Sequence, residues 1–116
     1  MNPRNQHRRL YQKIPTFHCK PGCNDCCGPV PLSEWEAERL RLPGEVLTPV
    51  KPGTMTCLFA SAEGCQVYDK RPLMCRLFGS VDTPRLSCPH GCKPKRLLPD
   101  QAGESLRNDY IRLVML

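Results

Sequence analysis

Four thiols fall within nine residues, in Cys19-Lys20-Pro21-Gly22-Cys23-Asn24-Asp25-Cys26-Cys27. Five more follow at Cys57, Cys65, Cys75, Cys88 and Cys92, giving nine in a chain of 116 residues. A lone buried cysteine is ordinary packing. This density, in a loop broken by Pro21, Gly22, Gly28, Pro29 and Pro31, points instead to thiolates gathered around a metal. Disulfides are the competing chemistry, and they belong to oxidising compartments. The basic start, Met1 to Leu10, leads into no apolar stretch, so no export signal is expected and a reducing, cytoplasmic setting is. An odd number of cysteines and the adjacent pair Cys26-Cys27 also suit bridges poorly.

The spacing says less about which metal. Structural zinc sites usually present two close pairs, and here only Cys23 and Cys26 are separated by two residues. Thiolate-rich sites select zinc or iron–sulfur clusters, and Cys88-Pro89 resembles the end of a cluster-binding run. Zinc is narrowly preferred, with an iron–sulfur cluster as the alternative. Nine thiols suffice for one four-thiolate site with spares, or for two sites assisted by a histidine or a bridging thiolate. Gly22, Gly64 and Gly91 each precede a cysteine, and glycine permits a left-handed turn that aims backbone N–H groups inward. Such groups supply the hydrogen bonds to sulfur that a metal site needs. His18 and His90 stand beside cysteines, although loop histidines are more often solvated than ligating. His7 is expected to be exposed. The interval Cys19-x3-Cys23-x2-Cys26 also matches the three-cysteine spacing of radical S-adenosylmethionine enzymes, but 116 residues cannot supply the large barrel that carries it there.

The segment Cys65-Gln66-Val67-Tyr68-Asp69-Lys70-Arg71-Pro72-Leu73-Met74-Cys75-Arg76-Leu77-Phe78, taken with the Cys-Cys group, resembles the CxxCxxCC family, also called YkgJ-type. That pattern runs from the Cys-Cys group through Cys-x-Phe and Gly-Cys-x-x-Tyr to Arg-Pro-x-x-Cys-Arg-x-Phe and a late Cys-Pro. The corresponding residues here are Cys57-Leu58-Phe59, Gly64-Cys65 with Tyr68, Arg71-Pro72 with Cys75-Arg76 and Phe78, and Cys88-Pro89. The likeness spans roughly residues 17–92 and implies zinc or iron chelation by Cys19, Cys23, Cys26, Cys27, Cys57, Cys65, Cys75 and Cys88. The first interval holds three residues where the pattern has two, and Cys92 stands beyond the usual eight. Some members are linked to flagellin lysine methylation. No methyl-donor domain is recognisable in this chain, so that activity is not carried over. Tyr68, Arg71 and Arg76 lie close in sequence to Cys65 and Cys75. Arginines there either hold an anion or satisfy loop carbonyls, and the second role is favoured because such loops leave many carbonyls to satisfy.

The elements that must position these thiols are short. With 13 Pro and 8 Gly, the chain reads as a small irregular α+β fold, a loop-rich, metal-stabilised single domain with two or three short helices. Residues 1–16 form a basic arm with at most one helical turn, 17–98 the cysteine-cluster domain, and 99–116 a helix packing on that domain. Ser33 and Glu36 make a capping box, Leu32 can staple against Ala37, and Pro43-Gly44 ends the helix they start. Strand-like pieces are expected around Thr56–Ala60 and Cys65–Tyr68, joined through Ser61 to Gly64. Asp69 can cap a short helix running towards Phe78. From about Gly103, Leu106, Tyr110, Leu113 and Val114 share one helical face.

The formal net charge is +6, and Arg4, Arg8, Arg9, Lys13 and Lys20 all precede the first acid, Asp25. Ligating thiolates would offset part of that excess. Glu34, Glu36 and Glu38 read as solvated positions, and no Ser-His-Asp set, phosphate-binding loop or carboxylate pair is legible. No enzymatic reaction can therefore be assigned. The reading that results is a metal-binding accessory or interaction module with an unknown protein partner. An iron–sulfur redox protein comes second. A basic nucleic-acid-binding module comes last, because aromatics make up only 6% of the residues and offer little to stack bases on. No run is long enough to cross a membrane.

Overall fold

The computed structural model of the protein describes residues 2–17, 30–42, 49–62 and 64–114. Helix α1, Pro3–Gln12, starts where the extended Asn2 accepts the Asn5 N–H on its Oδ1 at 2.9 Å. An Asn cap satisfies a donor that the helix cannot, and proline fits the first helical position. His7, Leu10, Tyr11 and Ile14 follow at three- and four-residue intervals and so fall on one face. His7, Leu10 and Ile14 are buried, and Tyr11 packs beside them. The stretch expected to hold one helical turn is therefore nearly three turns long. His7, expected to be exposed, is only 2% accessible. Its Nδ1 donates to the Pro3 carbonyl at 2.6 Å, and its ring meets Tyr11 and Tyr110 edge-on.

The chain divides into two compact units, Met1–Cys19 with Leu73–Leu116, and Lys20–Pro72. In the first, α1 packs with α3, Leu73–Leu77, and α4, Asp100–Val114. Their shared core is Leu10, Ile14, Leu73, Leu77, Val81, Leu106 and Tyr110. Burying each such side chain is worth about 1.5–3 kcal/mol. Val81 and Leu98 form a parallel bridge, and the buried Ser80 hydroxyl donates to the Pro15 carbonyl at 3.0 Å. Two glycines permit close approaches. Gly79, at φ +83°, lies under the Phe17 ring, and Gly103 of α4 lies against Val81. Helix α4 starts at Asp100, three residues before the expected Gly103. Leu106 and Tyr110 are buried as expected, whereas Val114 is exposed.

The second unit holds α2, Glu34–Arg39, and an antiparallel hairpin of β1, Ala60–Ser61, with β2, Gly64–Cys65. The capping box is present in full, and Leu32 and Ala37 share a cluster with Leu40. Glu36 is buried rather than solvated, because its carboxylate turns back to accept from the Ser33 N–H at 3.1 Å and the Ser33 hydroxyl at 3.3 Å. The helix ends before Pro43-Gly44, which lie outside the described residues. Arg41 takes φ +60°, Leu42 N–H donates to the Ala37 carbonyl and Arg41 N–H to that of Glu38. This is the Schellman closure, here on a residue other than glycine. A 3₁₀ turn at Tyr68–Lys70 and the short α3 replace the single helix expected after Asp69. The fold is a small irregular α+β, with four helices and one two-stranded sheet among the described residues.

Candidate metal centre

Cys57 and Cys65 belong to one local structure. Cys57 bridges Val50 in antiparallel fashion, and its carbonyl accepts the Ala60 N–H at 3.1 Å, closing a turn directly before β1. Ala60 is the register partner of Cys65 on β2. The hairpin thus returns the chain so that Cys65 sits beside the turn that begins at Cys57. Gly64, directly before Cys65, has φ +105°, a conformation that a side chain rarely adopts. Both thiols are half-buried. The strands are shorter than expected and shifted towards the turn, because Cys57 to Ala60 close a turn before β1 and Tyr68–Lys70 form a 3₁₀ turn after β2.

Cys75, Cys88 and Cys92 lie in the other unit, and all three are half-buried. Cys75 is the middle residue of α3, between the buried Leu73 and Leu77, so its place is set by helix packing. Cys88 follows the 3₁₀ turn Pro84–Leu86, whose Leu86 carbonyl accepts the Gly79 N–H. Its own carbonyl accepts the Gly91 N–H at 3.1 Å, closing the tight turn Cys88-Pro89-His90-Gly91. Gly91 has φ +77°, and Cys92 leaves that turn. Cys88 and Cys92 therefore flank a single turn, with the exposed His90 at its tip.

The arginines near these thiols have structural partners. Arg71 Nε donates to the Tyr68 carbonyl at 3.0 Å, and its guanidinium lies 4.0 Å from the centroid of the Tyr68 ring. The Arg76 guanidinium lies 4.3 Å from the centroid of the Tyr11 ring. Loop-carbonyl satisfaction is thus visible at Arg71. The Tyr11 partnership was not legible in the sequence, because positions 11 and 76 have no spacing relationship to reveal it.

Cys19, Cys23, Cys26 and Cys27, together with His18 and the Gly22-Cys23 step, lie outside the described residues. Among the described residues, no three His, Cys, Asp or Glu side chains converge as a metal site. The described donors are nonetheless of the right chemistry. Five half-buried thiols are soft ligands suited to zinc or iron. Two of them follow glycines held at positive φ, where the backbone turns within one residue of the sulfur.

A family model described as "CxxCxxCC: Putative zinc- or iron-chelating domain" matches residues 18–93, about two thirds of the chain. That stretch takes in all nine cysteines. No curated protein and no solved structure matches the chain.

Proposed function

We propose that this chain, which belongs to the CxxCxxCC family of zinc- or iron-chelating domains, is an accessory module whose metal is zinc and whose role is chiefly structural. The observation that carries the reading is the thinness of the apolar core among the described residues of the unit Lys20–Pro72. Its buried cluster is Leu32, Ala37 and Leu40, with partly buried neighbours such as Phe59 and Val67. So small a cluster leaves much of the folding free energy to come from elsewhere. Thiolate coordination supplies on the order of 10 kcal/mol of apparent folding free energy.

The ligands proposed are Cys19, Cys23, Cys26, Cys27, Cys57, Cys65, Cys75 and Cys88, as thiolates. Zinc has no redox chemistry of its own and would act as a cross-link. In this reading Arg71 and Arg76 hold the neighbouring backbone and helix in place and take no part in a reaction. The metal would also draw the surrounding loops into one conformation, giving a protein partner a defined surface to bind. A reducing, cytoplasmic setting suits unbridged thiolates.

The test is metal content on protein purified without oxygen, read beside its visible absorption. One or two zinc ions per chain in a colourless solution, with loss of folded structure on chelation, is the expected result. Several irons with inorganic sulfide and broad visible absorption would overturn the zinc reading and make the centre a redox cluster.

A further inference from the structure

The positive charge of the chain is not shared between its two units. Met1–Cys19 with Leu73–Leu116 carries eleven of the 17 Lys and Arg against four of the 11 Asp and Glu, a net of seven positive charges. Lys20–Pro72 carries the other six against seven acids, a net of one negative. The whole excess therefore resides in the unit that contains α1, where Arg4, Arg8 and Arg9 lie on α1 and Lys93, Lys95 and Arg96 form a second cluster. No acid occurs before Asp25.

Asn5, Arg8, Arg9 and Gln12 are spaced at i, i+3, i+4 and i+7 and so share one face. They line an open hollow of about 250 Å³. Arg4 and Lys13 flank them, and all six side chains are exposed. Every one can donate hydrogen bonds, and none is acidic. The opposite face of α1, with His7 and Leu10, is buried, and Ile14 just past its end joins Leu10 in the unit's own core.

We propose that this face of α1 binds the phosphate backbone of a nucleic-acid duplex. A membrane surface fits poorly, because a helix lying on a bilayer inserts its apolar face, and Leu10 and Ile14 are already committed to the core. A folded protein partner fits poorly as well. Interface centres set arginine among aromatic and apolar side chains, whereas this face joins its arginines to Asn5 and Gln12 and has no aromatic or apolar side chain. Single strands call for aromatic stacking platforms, which the same face lacks. What remains is a dense array of donors against a dense array of phosphates, read without regard to base sequence. The proposal rests on the surface of α1 and not on which metal the thiols hold.

The experiment is fluorescence anisotropy of a short labelled DNA duplex of arbitrary sequence with the full, metal-loaded chain, between about 50 and 200 mM salt. Three or four phosphate contacts predict a slope of log K against log salt of about −3, at roughly −0.9 per contact. Arg8→Glu with Arg9→Glu should weaken binding at low salt at least about tenfold and flatten the slope by about 2. Arg8→Gln with Arg9→Gln should give a smaller loss in the same direction. Lys51→Glu with Lys70→Glu makes the same change of net charge in the other unit and should shift affinity by less than about threefold. Circular dichroism and metal content confirm that each variant is folded. No duplex binding at low salt would overturn the proposal. So would equal losses in the Arg8/Arg9 and Lys51/Lys70 pairs, or anionic lipid vesicles out-competing duplex at equal phosphate concentration.

Discussion

The Arg76 guanidinium lies 4.3 Å from the centroid of the Tyr11 ring, so the residue after Cys75 is tied through an aromatic face to α1. A cation over a ring contributes about 0.5–1 kcal/mol when exposed and about 2 kcal/mol when desolvated. Arg76 is half-buried, so Tyr11→Leu should lower unfolding stability by about 1 kcal/mol in urea titrations. A double-mutant cycle with Arg76→Met should return a coupling of at least about 0.5 kcal/mol. Strict additivity would show that the stacking contributes nothing.

Ser33 and Glu36 satisfy each other's backbone N–H groups, at 3.1 and 3.2 Å. Ser33→Ala should cost about 1 kcal/mol of stability. Glu36→Gln should cost clearly less than Glu36→Ala, because glutamine keeps the acceptor that faces Ser33. Thermal melts of the three variants give the comparison, and an equal loss from both Glu36 changes would contradict it.

Gly103 sits within α4, where alanine has the better helix propensity by about 1 kcal/mol. A Cβ there would meet Val81 Cγ1 at 2.7 Å. Overpacking of this kind costs about 1–3 kcal/mol, so Gly103→Ala should destabilise the protein. Adding Val81→Ala to it should recover part of the loss. A rise in melting temperature for Gly103→Ala alone would mean that the two elements separate without penalty.

Gly91 has φ +77° and, among the described residues, nothing within 4 Å of an added Cβ, so a Cβ there costs its backbone strain and meets no described neighbour. That cost is about 1–2 kcal/mol for an ordinary residue and less for asparagine. Gly91→Val should weaken zinc binding up to about tenfold, the equivalent of about 1.4 kcal/mol. Gly91→Asn should stay close to the parent. Competition titrations against a chromophoric chelator measure both, and unchanged affinity in Gly91→Val would remove the Cys88–Cys92 turn from the centre.

Removing individual thiols separates ligands from bystanders. Under the proposed assignment Cys57→Ser and Cys65→Ser each lower the zinc bound per chain and the melting temperature together. Cys92→Ser, beyond the eight assigned ligands, should leave stoichiometry unchanged. Loss of zinc in Cys92→Ser would bring the whole Cys88–Cys92 turn into the centre.

Local chemistry was legible and long-range packing was not. The capping box depends on residues three positions apart, so Ser33 and Glu36 announced α2 directly. Its end did not follow from Pro43-Gly44, because Arg41 closes the helix in a conformation that favours glycine and asparagine. Helix α1 carried a signal in Asn2-Pro3 and in the spacing of His7, Leu10, Tyr11 and Ile14. Reading those residues as an arm overlooked a histidine that serves the core.

By itself the sequence determined the class of chemistry, because nine thiols and their order along the chain need no coordinates to be recognised. It also determined the total charge and the local turns around Gly64 and Gly91. Only the tertiary structure decided that Ser80 donates to Pro15, 65 positions away, and that Arg76 finds Tyr11. Only the structure assigned the positive charge to one compact unit. The physical reason is common to all three. Spacing along a helix or turn places neighbours within a few residues, whereas contacts between distant segments follow from which apolar faces can be buried together.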